Sequence, residues 1–140
     1  MPFELKTSSG IVSLFWNNWA MHRFCELNGI VEVNRLLLDA GLVVVNAFIS
    51  PYRADREQAR GILPAGDFSE VFVKADIAVC EQRDVKGLYA KARAGELEQF
   101  TGVSSPYEEP VDPELVVATD HQTIEQSLEL LWDYVLRRIR

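Results

Sequence analysis

The stretch from Leu42 to Ile49 constrains the fold of this chain more than any other part of its sequence. It reads LVVVNAFI and is almost entirely apolar, with three consecutive β-branched valines. Such a run predicts a strand that is buried on both faces of a parallel sheet, because strands with one solvated face alternate apolar and polar residues. Parallel strands need long connections, usually helices, so strands and helices should alternate along the chain.

The rest of the sequence shows this alternation. Short runs rich in β-branched residues predict strands at Glu70–Val73 and Leu115–Ala118, with Ile11–Trp16 as a further candidate. Apolar spacings of three and four, or short helix-forming stretches, predict helices at Val31–Ala40, Asp55–Leu63, Ile77–Arg83, Tyr89–Arg93 and Thr123–Ile139. This order indicates an α/β domain with a parallel sheet flanked by helices.

Two of the predicted helices have a recognisable apolar face. In the first helix, Gly41 is a natural residue to end the helix, and the face consists of Val33, Leu36, Leu37 and Ala40. In the last helix, Thr123 or Asp120 would begin the helix. Its face consists of Ile124, Leu128, Leu131 and Val135, with Leu136 or Ile139.

Composition limits the class of protein. A length of 140 residues suits one domain with a substantial core. The net charge of -7 argues against a partner that is a nucleic acid or a membrane surface, since both need a surplus of Lys and Arg. No apolar run reaches the roughly 18 residues of a transmembrane helix, and the N-terminus does not resemble a signal peptide.

The two cysteines carry little functional information. Cys25 and Cys80 are far apart in sequence and have neither metal-ligand nor C-x-x-C spacing. We expect two small buried side chains in a reducing compartment, which indicates a cytoplasmic protein.

The first candidate site follows the strand that ends near Phe48, in the sequence FISPYR. Ser50 and Pro51 would lie at the carboxyl edge of the sheet, where open α/β folds bind ligands. Arg53 and Arg56 would then lie near one another, where they could bind phosphate or sulfate oxygens. The alternative is a structural turn followed by a solvated helix with ion pairs.

A second candidate is Arg83, in the sequence CEQRD at the end of a predicted helix. An arginine there can cap the helix C-terminus through the helix dipole. Alternatively, its guanidinium can stack on a nucleotide base.

The third candidate is a short basic helix between two glycine turns. Lys86 and Gly87 precede it, Gly95 follows it, and Lys91 and Arg93 lie within it. Glycine hinges and cations are what a mobile lid over phosphates requires. Phe100 follows this segment and has the chemistry to stack on a purine. An ordinary helix whose charges are balanced by Glu96 and Glu98 is the alternative.

These motifs together resemble one known family. The pattern K-G-L-Y-x-K-A-R-A-G-E-L-x-x-F-T-G-x-x-S-P-Y-E-x-P, preceded by C-E-x-R-D and F-I-S-P-Y-R-x-D-R, is similar to adenylyl-sulfate (APS) kinases from about Ile30 to about Thr119. The resemblance implies an incomplete P-loop-kinase-like parallel sheet flanked by helices. It also implies transfer of a phosphoryl group from ATP, with Mg²⁺, to the 3′-hydroxyl of APS, which makes PAPS for sulfate assimilation. Family members are usually dimers, so a homodimer is the oligomeric state to test.

The same resemblance assigns roles to individual residues. Ser50 matches the position described in the family as a phosphoserine intermediate. The residues implied to bind the substrate APS are Ile49, Ser50, Arg53, Lys86, Gln99 and Phe100. Arg83 is implied to flank the ATP base. The lid would comprise Lys86, Gly87, Lys91, Arg93 and Gly95, and no protein ligand for a metal is implied.

The sequence departs from the family at its N-terminal end. It contains no match to the phosphate-binding pattern G-x-x-x-x-G-K-[ST]. We therefore divide it into an atypical segment, 1–29, and an APS-kinase-like domain, 30–140. The strand candidate Ile11–Trp16 is predicted to lie between the strands at Leu42 and Glu70. Two functions remain open: a phosphotransferase, or a non-catalytic chain, which would be either a catalytically inactive truncated remnant or a nucleotide-binding regulatory subunit.

Overall fold

The computed structural model describes residues 11–15 and 33–139, and for 11–15 it describes the backbone alone. Strands and helices alternate along most of these ranges, as the sequence predicts. The strands are β1 (Ile11–Phe15), β2 (Val44–Phe48), β3 (Phe68–Lys74) and β4 (Leu115–Ala118). The helices are α1 (helical residues 33–39), α2 (Arg53–Ile62), α3 (Ile77–Arg83), α4 (Leu88–Arg93) and α5 (Ile124–Arg138).

The strands form one parallel sheet in the order β2-β1-β3-β4. β1 pairs with strands on both sides, and Leu14 lies opposite Ala47 of β2 and Val71 of β3. β3 pairs on its other side with β4, where Phe72 lies opposite Val116. The prediction that β1 lies between the other two strands is therefore confirmed. Trp16, which the prediction included, lies outside the described residues.

β2 differs from its predicted burial. The strand forms one edge of the sheet, and its residues alternate between half-buried and exposed. Val44 packs against a cluster formed by Leu38, Leu63 and Phe68, whereas Val45 on the opposite face is 53% exposed. The prediction of burial on both faces is wrong because the described elements cover only the face that carries Val44.

α1 also turns a different face to the core from the one predicted. Its buried residues are Asn34 and Leu38, whereas Val33 and Leu36 are exposed. Leu38 packs with Leu63, at the end of α2, and with Phe68 of β3. These contacts fix the rotation of α1, so the face centred on Val33 and Leu36 is not the core face. Gly41 follows with φ of 79°, the left-handed conformation expected at a helix end.

α5 packs through its second half only. Thr123 caps the helix in a capping box, because its side chain accepts a hydrogen bond from the Gln126 amide and the Gln126 side chain accepts one from the Thr123 amide. Leu131 and Val135 pack against Val71 and Val117 as predicted, but Ile124 and Leu128 are exposed. The contact with the short strand β4 does not extend to the first turns, so half of the predicted face is wrong.

A third cluster joins α3 and α4. Tyr89, Ala92 and Phe100 are buried there, and Cys80 packs against them as a half-buried free thiol rather than a fully buried one. Cys25 lies outside the described residues. Across residues 11–15 and 33–139, none of the helices has both the length and the apolar character needed to cross a membrane.

Candidate functional site

The carboxyl ends of the parallel strands lie side by side. Together they form the carboxyl edge of the sheet, which is called the sheet edge below and is distinct from the edge strand β2. Ile49 and Ser50 follow β2, Asp76 follows β3, and Asp120 lies just beyond β4. A cleft of about 890 Å³ opens at this edge. Side chains of Lys74, Asp76, Ser104, Tyr107, Glu109 and Asp120 line it. This is the position at which open α/β sheets bind ligands.

Ser50 has an unusual backbone conformation at this edge. Its φ is 35°, in the left-handed region that non-glycine residues rarely adopt. Ile49 before it is buried, and Pro51 after it begins the connection to α2. A strained residue at the carboxyl end of a strand is typical of a functional site, because such strain persists only where surrounding contacts hold it.

The turn at Ser50 is attached to a distant loop. The Glu108 amide donates a hydrogen bond to the Pro51 carbonyl at 2.8 Å. The Arg53 amide donates to Glu108 Oε2 at 2.8 Å, and Arg53 Nε donates to the Glu109 carbonyl at 2.8 Å. The exposed Arg53 side chain is therefore held at the site by main-chain contacts.

Arg56 is not available for ligand oxygens, contrary to the first interpretation of the FISPYR motif. Its side chain is buried, and Nη1 and Nη2 donate to the carbonyls of Ser50 and Glu108, each at 2.7 Å. Nε forms an ion pair with Glu70 Oε1 at 2.7 Å. A buried cation requires such pairing, so Arg56 has a structural role in an ion pair rather than a ligand-binding role.

The ion pair continues into a network of alternating charges. Glu70 also pairs with Arg60 at 3.3 Å, and Arg60 binds Glu114 through both of its terminal nitrogens. Burial acts to raise the pKa of Glu114, but hydrogen bonds from the Arg60 side chain and the Glu70 amide outweigh it and lower that pKa. The carboxylate is thus stabilised in its charged form beside β3.

Arg83 does not cap α3, contrary to one of its two predicted roles. Its guanidinium does not return to the carbonyls of α3 but reaches the end of β4, where Nη2 donates to the Thr119 carbonyl at 2.6 Å and Nη1 to Thr119 Oγ1 at 3.2 Å. The Thr119 amide in turn donates to the Lys74 carbonyl at 2.9 Å. Arg83 is therefore fixed at the sheet edge and remains exposed there.

Both lid glycines have the backbone conformation that only glycine adopts easily. Gly87 has φ of 66° and Gly95 has φ of 78°, on either side of α4. Gly87 stands at the start of α4 and has no side chain with which to cap the helix. Asp84 caps it instead, since its carboxylate accepts hydrogen bonds from the amides of Tyr89 and Ala90. Desolvation acts to raise the pKa of Asp84, but these amides and that of Leu88 lower it.

The three cations of the predicted lid differ in their contacts. Arg93 binds Glu81 of α3, with Nη2 at 2.6 Å and Nε at 2.8 Å from Oε1. Lys86 and Lys91 are exposed and form no ion pair with the residues that the structure describes. Glu81, rather than Glu96 or Glu98, is thus the counterion within this part of the molecule.

Phe100 lies in the core cluster beneath α4. Its ring is 4% exposed and meets the Tyr89 ring edge to face, with centroids 5.0 Å apart. Gln99 beside it is exposed and has φ of 55°, a second strained non-glycine residue. Gln99 and Phe100 thus follow α4 in the chain, and Phe100 packs against the buried residues of that helix.

Sequence reasoning missed three residues that shape the site. Asp84 caps α4, Glu108 attaches the turn at Ser50, and Tyr107 stacks on Phe72 with ring centroids 6.1 Å apart. Burial raises the pKa of Tyr107 to about 12. The run S-P-Y-E was visible in the sequence, but no spacing rule connects it with residue 50. Among residues 33–139, no group of three or more His, Cys, Asp or Glu side chains is arranged to hold a metal ion.

Comparisons with known proteins agree with the geometry. A family model described as adenylylsulphate kinase matches residues 18–118. The probable adenylyl-sulfate kinase of Halalkalibacterium halodurans is 53% identical over 110 residues, which are 79% of this chain and 54% of that protein. The adenylyl-sulfate kinase of Geotalea daltonii is 54% identical over 113 residues, 81% of this chain and 56% of that protein. The chain thus spans about half the length of the curated relatives it matches.

Solved structures show the same fold. The APS kinase CysC of Mycobacterium tuberculosis, solved in complex with AMPPNP and APS, superimposes with a TM-score of 0.70 at 35% identity. The match covers 91% of this chain and 80% of that chain. Similarity at this level in sequence and in structure identifies both fold and family: the chain belongs to the adenylylsulphate kinase family and has its parallel α/β fold.

Proposed function

We propose that this chain acts in the transfer of the γ-phosphoryl group of ATP to the 3′-hydroxyl of adenylyl sulfate. The new bond joins the 3′-oxygen to the γ-phosphorus, and the 3′-hydroxyl gives up its proton to solvent. The bond between the γ-phosphorus and the β,γ-bridging oxygen breaks, and ADP leaves with that oxygen. The observation that carries the proposal is that three family motifs follow the carboxyl ends of the parallel strands. The Ser50 turn follows β2, Arg83 contacts the end of β4, and the glycine-bounded helix α4 packs against α3, which follows β3.

The acceptor nucleotide is proposed to bind at the end of β2. Ile49 and Ser50 would contact it through the strained turn, and the exposed Arg53 would face its anionic group. Lys86 would reach it from the N-terminal end of α4. Gln99 would hold the adenine, and Phe100, whose ring is 4% exposed beneath α4, would stack on it once α4 has moved. Support comes from the chemistry of these groups, since a sulfate or phosphate needs cations and a purine needs an aromatic ring.

The donor nucleotide is proposed to lie beside Arg83. This guanidinium is exposed and oriented by Thr119, so one of its faces is free to cover a purine base. Mg²⁺ would enter with ATP, because Mg²⁺ at such sites is held largely by substrate phosphates and water. The ion would neutralise charge that develops on the phosphoryl oxygens, and Lys86 and Lys91 would contribute further positive charge.

α4 is proposed to move over the substrates as a lid. Its glycine boundaries can absorb changes in φ and ψ. Its buried Tyr89 and Ala92 pack with Ile77 and Cys80 of α3, which keeps the helix attached to α3. For Arg93 to reach a phosphate, its ion pair with Glu81 must break. An exposed pair of this kind contributes little free energy, at most about 1 kcal/mol, so it does not prevent such a movement.

A second candidate is a nucleotide-binding chain that does not catalyse the transfer. One observation favours it: the sequence has no match to G-x-x-x-x-G-K-[ST]. That loop supplies amides, a lysine and a magnesium-binding hydroxyl in P-loop enzymes. The chain would then keep the acceptor site and the lid, and it would regulate or assist another protein. The same sheet edge serves in both candidates.

Two measurements separate these possibilities. Calorimetric titration with adenylyl sulfate should show saturable binding to the purified chain, and an Arg53→Ala, Lys86→Ala double variant should weaken it. No binding by the unaltered chain would contradict both candidates. A coupled assay for PAPS with Mg²⁺ and ATP then distinguishes them, since product above the protein-free rate supports the kinase and binding without product supports the second candidate. Chromatography with light scattering would test for a homodimer.

A further inference from the structure

We propose that Arg56 is a positioning residue for the acceptor site: it holds the Ser50 turn in its strained conformation without touching the substrate. This inference rests on the proposed function only for its effect on binding. The contacts that carry it belong to the described structure. Arg56 lies in the first turns of α2, between the end of β2 and the loop that contains Glu108.

Arg56 joins two main-chain segments that are far apart in sequence. Nη1 donates to the Ser50 carbonyl and Nη2 to the Glu108 carbonyl, both at 2.7 Å. Charge-assisted hydrogen bonds of this length are about twice as strong as those between neutral groups. A single planar group therefore sets the separation of residues 50 and 108.

The Ser50 turn needs such support. Ser50 has φ of 35°, and a non-glycine residue with positive φ is strained unless the surrounding contacts hold it. Without a partner for its carbonyl, the turn would relax toward an ordinary conformation and shift the serine hydroxyl. The hydrogen bond from Arg56 to that carbonyl opposes this relaxation. The bond from the Glu108 amide to the Pro51 carbonyl acts in the same direction.

The orientation of Arg56 is itself fixed from the other side. Its Nε pairs with Glu70 of β3, whose side chain is 6% exposed, and the Arg56 side chain is 2% exposed. Arg60 and Glu114 hold Glu70 in turn, and the Tyr107 ring lies 5.9 Å from the Arg56 guanidinium carbon. The guanidinium thus sits in a rigid, neutralised environment on the central part of the sheet.

Lysine cannot reproduce this arrangement. Its ammonium group carries the same charge, but it lacks the planar fork that reaches two carbonyls and a carboxylate at fixed angles. Arg56→Lys should therefore keep charge neutralisation with Glu70 while releasing at least one of the two carbonyls. Arg60→Lys is the matched control, because Arg60 lies on the same helix and pairs with the same Glu70 but contacts neither residue 50 nor residue 108.

The first test measures amide hydrogen exchange in the full chain. In Arg56→Lys, protection of the Glu108 and Arg53 amides should fall by about tenfold or more, while protection of Val71 in β3 stays within about threefold. Arg60→Lys should lower the protection of the Glu108 and Arg53 amides less than Arg56→Lys does, because Arg60 acts on Arg56 only through Glu70. Equal protection of these two amides in Arg56→Lys and in the unaltered chain would overturn the proposal, whatever the chain binds.

The second test uses adenylyl sulfate and ATP as separate probes. Arg56→Lys should raise the Kd for adenylyl sulfate by about tenfold, which is about 1.4 kcal/mol, and leave that for ATP within about twofold, since only the acceptor site contains the Ser50 turn that Arg56 holds. A general loss of structure would weaken both. An equal effect on both ligands, or an equal effect of Arg60→Lys, would refute the positioning role. No adenylyl sulfate binding by the unaltered chain would refute the proposed function, and the exchange test would still decide the role of Arg56.

If Arg56→Lys fails to fold, nuclear magnetic resonance of the unaltered chain decides. The Nη protons of Arg56 should give separate, slowly exchanging signals because both nitrogens are hydrogen-bonded and buried. Arg53, whose side chain is exposed, provides the comparison within the same spectrum. Rapidly averaged signals for Arg56 like those of Arg53 would contradict the proposal.

Discussion

Arg83, the last residue of α3, donates a hydrogen bond of 2.6 Å to the carbonyl of Thr119, the first residue after β4. Helix and sheet edge are thereby joined at the point where the donor nucleotide is proposed to bind. The contact is exposed, so it orients the guanidinium more than it stabilises the fold.

Replacement of Arg83 should therefore affect binding more than stability. We expect Arg83→Ala to raise the Kd for the ATP analogue AMPPNP by about tenfold, which corresponds to about 1.4 kcal/mol, while the free energy of unfolding changes by less than about 1 kcal/mol. Calorimetry and urea unfolding measure the two quantities. Arg138→Ala, which removes another exposed arginine hydrogen bond, to the Gly66 carbonyl outside the proposed site, is the control. A fall in stability with unchanged affinity would assign Arg83 a purely structural role.

The glycines around α4 should be sensitive to side chains for conformational reasons alone. An added Cβ at Gly87 or Gly95 would meet no heavy atom within 4 Å, yet both residues have positive φ. Gly87→Ala and Gly95→Ala should each lower the free energy of unfolding by about 1 kcal/mol. Gly61→Ala, in α2 and equally uncrowded, should instead raise it by about 0.5 to 1 kcal/mol. Urea unfolding of the three variants checks the signs; stabilisation at Gly87 would contradict the conformational argument.

Acid should loosen the start of helix α4 before it affects the sheet. The pKa of Asp84 is lowered from its ordinary value of 3.8. The stability that the ionised Asp84 carboxylate gives to the start of α4 is therefore complete above pH 3.8 and is lost as the pH falls through the lowered pKa. Protection of the Tyr89 and Ala90 amides should decline in that acidic range. Asp84→Asn, which cannot titrate, should abolish this pH dependence. The same decline in both proteins would show that another group is responsible.

Phe100 is expected to serve both the core and the proposed adenine site. Because its ring is buried against Tyr89, Phe100→Ala should cost about 3 to 5 kcal/mol of unfolding free energy. Phe100→Leu should retain much of that packing but raise the Kd for adenylyl sulfate about tenfold, since aromatic stacking on a base contributes about 1 to 3 kcal/mol. Calorimetry at a temperature where both proteins are folded tests this. Unchanged affinity in Phe100→Leu would remove Phe100 from the binding site.

The capping box of α5 gives a prediction independent of function. Thr123→Ala should lower the free energy of unfolding by about 1 kcal/mol because the Gln126 amide loses its acceptor. Thr123→Ser keeps the hydroxyl and should restore most of that stability. Binding of adenylyl sulfate should be unchanged in both variants. Equal stability of the alanine and serine variants would contradict the capping role.

Local patterns in the sequence predicted most of the elements and the position of β1. The helix Ile77–Arg83 and the strand Leu115–Ala118 have the predicted bounds, because capping residues and apolar runs there are short-range signals. The exposed face of β2 could not be predicted in the same way. Whether an apolar strand is covered on both faces depends on which elements pack over it, and this is a property of the whole fold.

The site shows the same division between local and tertiary information. The glycine turns on either side of α4 were visible in the sequence, and in the structure Gly87 and Gly95 have positive φ. The partners of Arg56 do not follow from sequence, because Ser50, Glu70 and Glu108 converge on it only after three separate segments have packed. An arginine in a turn motif can bind a ligand or its own backbone, and only burial decides between them.

The position of β1 in the sheet has a consequence for biosynthesis. β1 is the first of the strands in residues 11–15 and 33–139, yet both of its neighbours come later, and the second of them ends at Lys74. A nascent chain therefore cannot complete the hydrogen bonding of β1 until Lys74 has left the ribosome. Until then the strand has unpaired backbone groups on one edge or both, which is the state in which chaperones and aggregation compete with folding.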